Sequence, residues 1–388
     1  MEVVSSAWHV ISAALIFVFG ALVADAAGKL LLVSQGRRLA LYVWHTGFCL
    51  LYCWYALNNG GDAITYFIWG ESTDWNFNVG TRSIEFFAGA LIHGLGLSLL
   101  GVFLVFNILG CIGLLAVDSA LNLISTEKPR AIRLLAKSIV FLPSISFWTS
   151  ALGKDAIAFM ATGLALWSAI NLSRHIVLMA FSIALMLLVR PHIAAIMVFV
   201  LIVSVVFDAR VSPLKKAGVT TVSLMAALVM VPFVFRYAGF QGDVSIGSIA
   251  DYVDKRQSYN MDGGGGVDIA SMAPPMQMFS YIFRPMLFEA RTIFEVAAAI
   301  DNFILLVLFI LGLCSIFGGR QSNLTDGRAF MWMYVFCVWL VMAMTTANLG
   351  IALRQKWMFV PMLIVLLISV VGRSRRDSLY IHPDRINI

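Results

Sequence analysis

An all-α, polytopic integral membrane protein is the fold class that this sequence predicts, and three observations carry it. Of 388 residues, 60% are hydrophobic and 12% charged, with a mean hydropathy of +0.89; an ordinary soluble domain carries about twice that charge fraction. Apolar runs such as 11–27, 97–117, 217–235, 303–317 and 359–371 are long enough, or nearly so, to cross a hydrocarbon core of about 30 Å at a rise of about 1.5 Å per residue. The period-two alternation of an outer-membrane barrel is absent, so the spans are helices that satisfy their own backbone hydrogen bonds. A soluble enzyme, a nucleic-acid binder and a disordered tail are excluded.

Eleven spans follow in order, at about 8–28, 39–57, 97–117, 131–150, 156–171, 175–189, 193–207, 217–236, 296–317, 329–347 and 356–372. Met1 to Ser6 holds no Lys or Arg, so the positive region of a cleavable signal peptide is missing and the first helix is expected to be retained. The stretch 84–95 is expected to lie at the interface before the third span, and spans five to seven are short for a full crossing. The chain is read as one transmembrane domain over 1–388, with one large loop over 237–292.

Loop charge sets the orientation. The short basic loops collect 17 of the 27 Lys and Arg, among them Arg37, Arg38, Lys128, Arg133, Lys137, Lys216 and Arg320, whereas 14 of the 21 acids fall on the opposite face. By the positive-inside rule the amino terminus is outside and the carboxyl terminus cytoplasmic, which an odd span count requires. The basic pI near 9.1 is then an orientation signal and needs no nucleic-acid partner. No inverted repeat of the secondary-transporter kind is evident. The 237–292 loop faces outward as a lid, with slack from Gly263 to Gly266, and lacks the Lys-Ser/Thr of a phosphate-binding P-loop. Five cysteines in apolar runs and no Cys/His cluster at ligand spacing argue against a disulfide framework or a zinc site.

Charges near bilayer depth are expensive, which makes those on the outward face functional candidates. They are Asp62 and Tyr66 in 60–67, Lys154 and Asp155 in 147–155, Arg190 and His192 in 188–192, Arg284, Glu289 and Arg291 in 281–291, and Arg354 and Lys356 in 348–356. Each has a bland alternative: an ion pair closing a turn for Lys154 and Asp155, a turn residue for Asp62, a salt bridge for Arg284, and snorkelling for Arg190, Arg354 and Lys356. Together, the cations on four outward segments suit an anionic headgroup, for which a lipid-linked pyrophosphate is the natural choice. A nearby carboxylate or imidazole would take the proton from an attacking sugar hydroxyl.

The order of a Gly-Asp-x-x-x-Tyr element at 61–66, PSISFWTSALGKD at 143–155, Arg-Pro-His at 190–192, FRP-x-x-FEA at 283–290 and NLGIALRQKW at 348–357 resembles bacterial repeat-unit polymerases of O-antigen and exopolysaccharide assembly, often called Wzy-type. It is also similar to multispanning glycosyltransferases of GT-C architecture. The resemblance runs from about residue 58 to 372. It implies a GT-C-like fold in the bacterial inner membrane and a metal-independent, cofactor-free transfer of glycan from undecaprenyl pyrophosphate to another lipid-linked repeat unit. It further implies partnership with other polysaccharide-assembly and chain-length-control proteins. Carried onto this chain, Arg190, Arg284 and Arg354 would hold pyrophosphate or glycan, helped by Arg291 and Lys154. Asp62, His192 and Glu289 would be the candidates for acceptor activation. One departure stands out: Asp62 is set well apart from Glu71 and Asp74, where monosaccharide transferases of this architecture carry an acidic pair in the first outer loop. Two alternatives remain open, a GT-C transferase using a polyprenyl-phosphate monosaccharide and, in a different class, a flippase of lipid-linked glycan.

Overall fold

The computed structural model describes residues 3–72, 76–207, 212–238, 246–261, 266–269, 271–324 and 326–372. Among these residues the regular structure is helical, with one isolated antiparallel bridge between Gly266 and Asn348. In order the helices are α1 (Ala7–Leu30), α2 (Gln35–Asn59), α3 (Asp62–Glu71), α4 (Thr81–Leu95), α5 (Leu99–Ser125), α6 (Arg130–Ile139), α7 (Pro143–Thr149) and α8 (Lys154–Ile170). They continue as α9 (Leu172–Val189), α10 (Pro191–Phe207), α11 (Pro213–Ala238), α12 (Ile246–Met261), α13 (Pro274–Phe283), α14 (Ile293–Phe317), α15 (Arg328–Thr345), α16 (Leu349–Gln355) with a 3-10 turn over Lys356–Met358, and α17 (Val360–Val370).

The eleven apolar segments fall largely on helix, with 131–150 divided between α6 and α7 at 140–142. Six helical units are long and apolar enough to cross a membrane: Ala7–Leu30, Leu99–Ser125, Arg130–Thr149, Leu172–Val189, Ile293–Phe317 and Arg328–Thr345. A seventh forms if Leu349–Met358 and Val360–Val370, bent by 63° at Phe359, count as one span. Pro191–Phe207 is apolar but shorter. The predicted interfacial stretch 84–95 is helical and belongs to α4.

The centre of the bundle is α5, packed along α8, α1 and α2. Small residues allow the α5–α8 approach. A Cβ at Gly113 would stand 2.8 Å from the Met160 Cα, and one at Gly163 would stand 2.5 Å from the Gly113 carbonyl oxygen. Between helices immersed in lipid, such backbone proximity supplies the packing that a hydrophobic force cannot.

The loop ends divide into two linked sets. In one set Arg37 donates to Asp118 and to the Lys137 carbonyl, Arg38 pairs with Asp25, Lys128 donates to the Ser369 carbonyl, and Asn323 donates to the Ile124 carbonyl. In the other, Arg354 bridges Asp62 and Asp155, Arg190 joins Asp155, Lys154 donates to Thr81, and Gln257 donates to the Met344 carbonyl. Each set contains residues from only one of the two faces that loop charge distinguishes. Within the 237–292 loop, α12 packs on α15, while α13 packs on α14, α15 and α16. Gly263 to Gly265 lie outside the described residues.

Candidate functional site

The site is built around Asp155, in the first turn of α8 and 7% exposed. An acid there is favoured by the partial positive charge of a helix amino terminus. Its Oδ1 accepts from Arg190 Nη2 at 2.8 Å. Its Oδ2 accepts from Arg354 Nε at 2.9 Å, with Arg354 Nη2 also at 2.9 Å. The third nitrogen of the fork, Arg354 Nη1, donates to Asp62 Oδ2 at 2.8 Å.

Local sequence explains each placement. Pro191 bars helical geometry at the residue before it, so α9 ends and Arg190 adopts φ −143°, ψ 75° between α9 and α10. Arg354 sits near the end of α16, whose start is capped by Asn348 accepting from the Gly350 and Ile351 N–H groups at 2.9 and 3.2 Å. Asp62 opens α3 directly after Gly60 and Gly61, at φ 73° and 122°; side chains other than glycine rarely tolerate those angles. Lys154 Nζ donates to Thr81 Oγ1 at 3.0 Å, which ties α8 to the start of α4.

Three further groups share the electrostatic surroundings of this cluster. Tyr66 is buried on α3, and its ring lies 3.6 Å from where a Cβ on Gly153 would stand. Tyr281 is buried with its hydroxyl unpartnered and interacts electrostatically with Arg190 and Asp155. His192, half-buried in the first turn of α10, faces the charges of Arg190, Arg256 and Lys154. The Arg354 guanidinium also lies 5.8 Å from the Trp148 ring centre. Trp148 belongs to an aromatic wall with Tyr52, Tyr55 and Phe147.

Charge is nearly balanced here. Lys154, Arg190 and Arg354 face Asp155 and Asp62, which leaves one positive charge in surplus. The buried Arg190 Nε has no hydrogen-bond partner, so the cluster retains one donor that its own residues leave unsatisfied. The Asp62 side chain is 54% exposed and is the member of the network most readily displaced by an incoming oxyanion.

The other expected residues lie apart. Arg284 and Glu289 close on each other, with Arg284 Nε 2.8 Å from Glu289 Oε1 and the Met286 N–H donating to Oε2 at 2.7 Å. No hydrogen bond or ion pair joins them to Asp155 among the described residues. Partial burial opposes ionisation of Glu289, but the Arg284 hydrogen bond, the Met286 N–H and the Arg284 charge outweigh it and hold the carboxyl below its usual range. A carboxylate held ionised in this way is a poor proton acceptor. Arg291 is exposed beside the capping box that Thr292 and Glu295 form at the start of α14. Lys356 is fully buried and donates to Asn302 Oδ1, away from the Asp155 cluster. Residues two apart on a helical path point to nearly opposite sides, so the turn that delivers Arg354 to Asp155 sends Lys356 into the bundle.

Sequence reasoning did not single out Thr81, Tyr52, Trp148 or Tyr281. Trp148 and Tyr281 lie inside segments already marked by their charges, while Tyr52 and Thr81 carry no local signal. Among the described residues no group of three His, Cys, Asp or Glu could hold a metal ion. No family model, curated protein or solved structure matches the chain.

Proposed function

We propose that this protein is a membrane glycosyltransferase that polymerises lipid-linked oligosaccharide repeat units, acting at the outer leaflet of a bacterial inner membrane with a GT-C-like arrangement of about eleven spans. The observation that carries this reading is the union of Asp62, Lys154, Asp155 and Arg190 with Arg354 at one end of the bundle. Four separate chain segments supply them, and they leave a surplus positive charge and an unfilled guanidinium donor. A diphosphate linked to a polyprenyl tail would approach from the lipid side and meet that donor. The acceptor sugar hydroxyl would attack the anomeric carbon as the bond to the diphosphate oxygen breaks. The departing diphosphate would keep the electron pair, held by Arg190 and Lys154.

Of the three candidate proton acceptors, Asp62 and His192 share this cluster and Glu289 does not, so acceptor activation falls to one of the first two. Near-neutrality is no objection, because a ligand that displaces the exposed Asp62 from Arg354 gains that guanidinium as well. A flippase would instead need charges lining a path met from both faces, whereas this cluster belongs to one set of loop ends. Deletion in the native host, followed by sizing of surface polysaccharide, tests the reading. Single repeat units remaining on lipid support a polymerase, and loss of even one unit does not.

A further inference from the structure

Two adjacent residues of α14, Asp301 and Asn302, are both fully buried and belong to none of the charged segments above. The Ser144 backbone N–H donates to Asp301 Oδ2 at 2.7 Å, at the start of α7, the helix that carries Trp148 against Arg354. Asn302 uses both ends of its amide. Its Nδ2 donates to the Pro285 carbonyl at 3.1 Å, beside Arg284, and its Oδ1 accepts from Lys356 Nζ. One turn of α14 is thus bonded to the three segments 143–155, 281–291 and 348–356.

We infer that Lys356 and Asn302 are positioning residues, which set where Arg354 stands against Asp155 without touching substrate; this rests on the reading that Arg354 belongs to the substrate site. The segment that bears Arg354 is a seven-residue helix, too short to be ordered by its own hydrogen bonds, and it meets α17 at the 63° bend. Its direction has to be fixed from outside. Asn348 fixes its beginning and the Lys356 ammonium fixes its end. Taking an ammonium out of water is costly, and a methionine would fill the same space without that cost. What the lysine adds is a charge that faces buried Asp301 and one directed bond, which Asn302 is held ready to receive by its second bond to Pro285.

A double-mutant cycle on the thermal unfolding of the purified full-length protein tests this. Arg354→Gln breaks the contact with Asp155 and lowers the melting temperature. In a Lys356→Met background the same change is expected to produce less than half of that shift, because Arg354 is no longer aimed at its partner. Additive shifts would overturn the inference. Should Lys356→Met fail to fold, Asn302→Ala serves: it removes the acceptor for Lys356 and the donor to Pro285. Arg354→Gln should then also produce less than half of its shift, and a full effect would count against the proposal. In the native host, Lys356→Met should shorten surface polymer at unchanged protein level, with Lys356→Arg restoring part of it. If the wild-type protein makes no polymer the polymerase reading falls, while the thermal cycle still decides the role of Lys356.

Discussion

Asp155 and Arg354 are 199 residues apart in the chain and 2.9 Å apart in space. The same carboxylate holds Arg190 from a third segment at 2.8 Å. A carboxylate this deeply buried has to be paired, and here both oxygens are. The consequence is mutual: each arginine is oriented by Asp155, and Asp155 is kept ionised by both.

Asp155→Asn should therefore be the most damaging single change in the cluster. It leaves two cations facing a neutral amide, and breaking a buried pair in this way costs roughly 3–5 kcal/mol. Asp62→Asn removes a carboxylate that is half in water, where an ion pair is worth roughly 1 kcal/mol or less. Thermal unfolding of the two purified variants should show that order. Equal losses would mean that the exposed arm of the Arg354 fork matters as much as the buried one.

Arginine chemistry gives a second contrast. Arg190→Lys retains the charge but loses the planar guanidinium whose Nη2 meets Asp155 and whose Nε is unfilled, so it should abolish long polymer while the protein still inserts. Arg284→Lys alters a pair that is closed on Glu289, and should shorten polymer less. Surface polysaccharide profiles at matched protein levels decide between them. Equal loss in both would place Arg284 in the substrate site.

The outline of the fold was legible because burial in lipid writes itself into composition: the apolar segments expected from the sequence fall largely on helix. Asp62, Lys154, Asp155, Arg190 and Arg354 were legible for the same reason, since charge beside a span is rare enough to notice. What local reading could not supply was partnership. The sequence offers no way to know that Asp155 would neutralise Arg354 or that Glu289 would close on Arg284. Lys356 was grouped with Arg354 by proximity in the chain, whereas helical geometry turned it toward Asn302. Asn302 itself is a single polar residue in a long apolar helix, and its role exists only through contacts with 285 and 356.

Helix spacing yields a third expectation. Because a Cβ on Gly163 would stand 2.5 Å from the Gly113 carbonyl oxygen, Gly163→Leu has to push α8 away from α5. Asp155 sits at the start of α8, so polymerisation and the melting temperature should fall together. Overpacking of this kind costs typically 1–3 kcal/mol. By contrast Gly94→Ala, with nothing within 4 Å of its added Cβ, should leave polymer length unchanged. An active, stable Gly163→Leu protein would show that the two helices can part without cost.

Acid should loosen the 284–291 loop. The Glu289 carboxyl is held below its ordinary value of 4.5, mainly by Arg284 against the opposing effect of partial burial. A lowered native pKa means that its contribution to loop order is fully present above 4.5 and is lost as pH falls through the native value. Hydrogen exchange in 284–291, corrected for intrinsic pH dependence, should be flat from pH 7 to 5 and rise below 4.5. Glu289→Gln should show the faster exchange at neutral pH, with the difference shrinking as the wild-type carboxyl protonates. A wild-type loop equally protected at pH 3.5 and 7 would mean that Glu289 does not organise it.

Orientation is the remaining expectation: loop charge sets its sense, and the contacts between loop ends say which residues share a face. Loop charge places 17 of 27 Lys and Arg on one face and 14 of 21 acids on the other, and the contacts between loop ends sort into the same two sets. Ser258 follows Gln257, whose side chain bonds the Met344 carbonyl at the end of α15 that leads to Arg354, so it reports the Asp155 face. The Ser369 carbonyl near the end of α17 accepts from Lys128 at 2.7 Å, so that end marks the opposite face. Reporter fusions after Ser258 and Ser374 should place the first outside and the second in the cytoplasm. Opposite compartments in the reverse sense would leave the two-set packing intact but turn Asp155, Arg190 and Arg354 toward the cytoplasm, where an outer-leaflet donor could not reach them. Two fusions in the same compartment would be worse for the packing itself, since they would put both bonded sets on one side of the membrane although α17 runs from one set to the other.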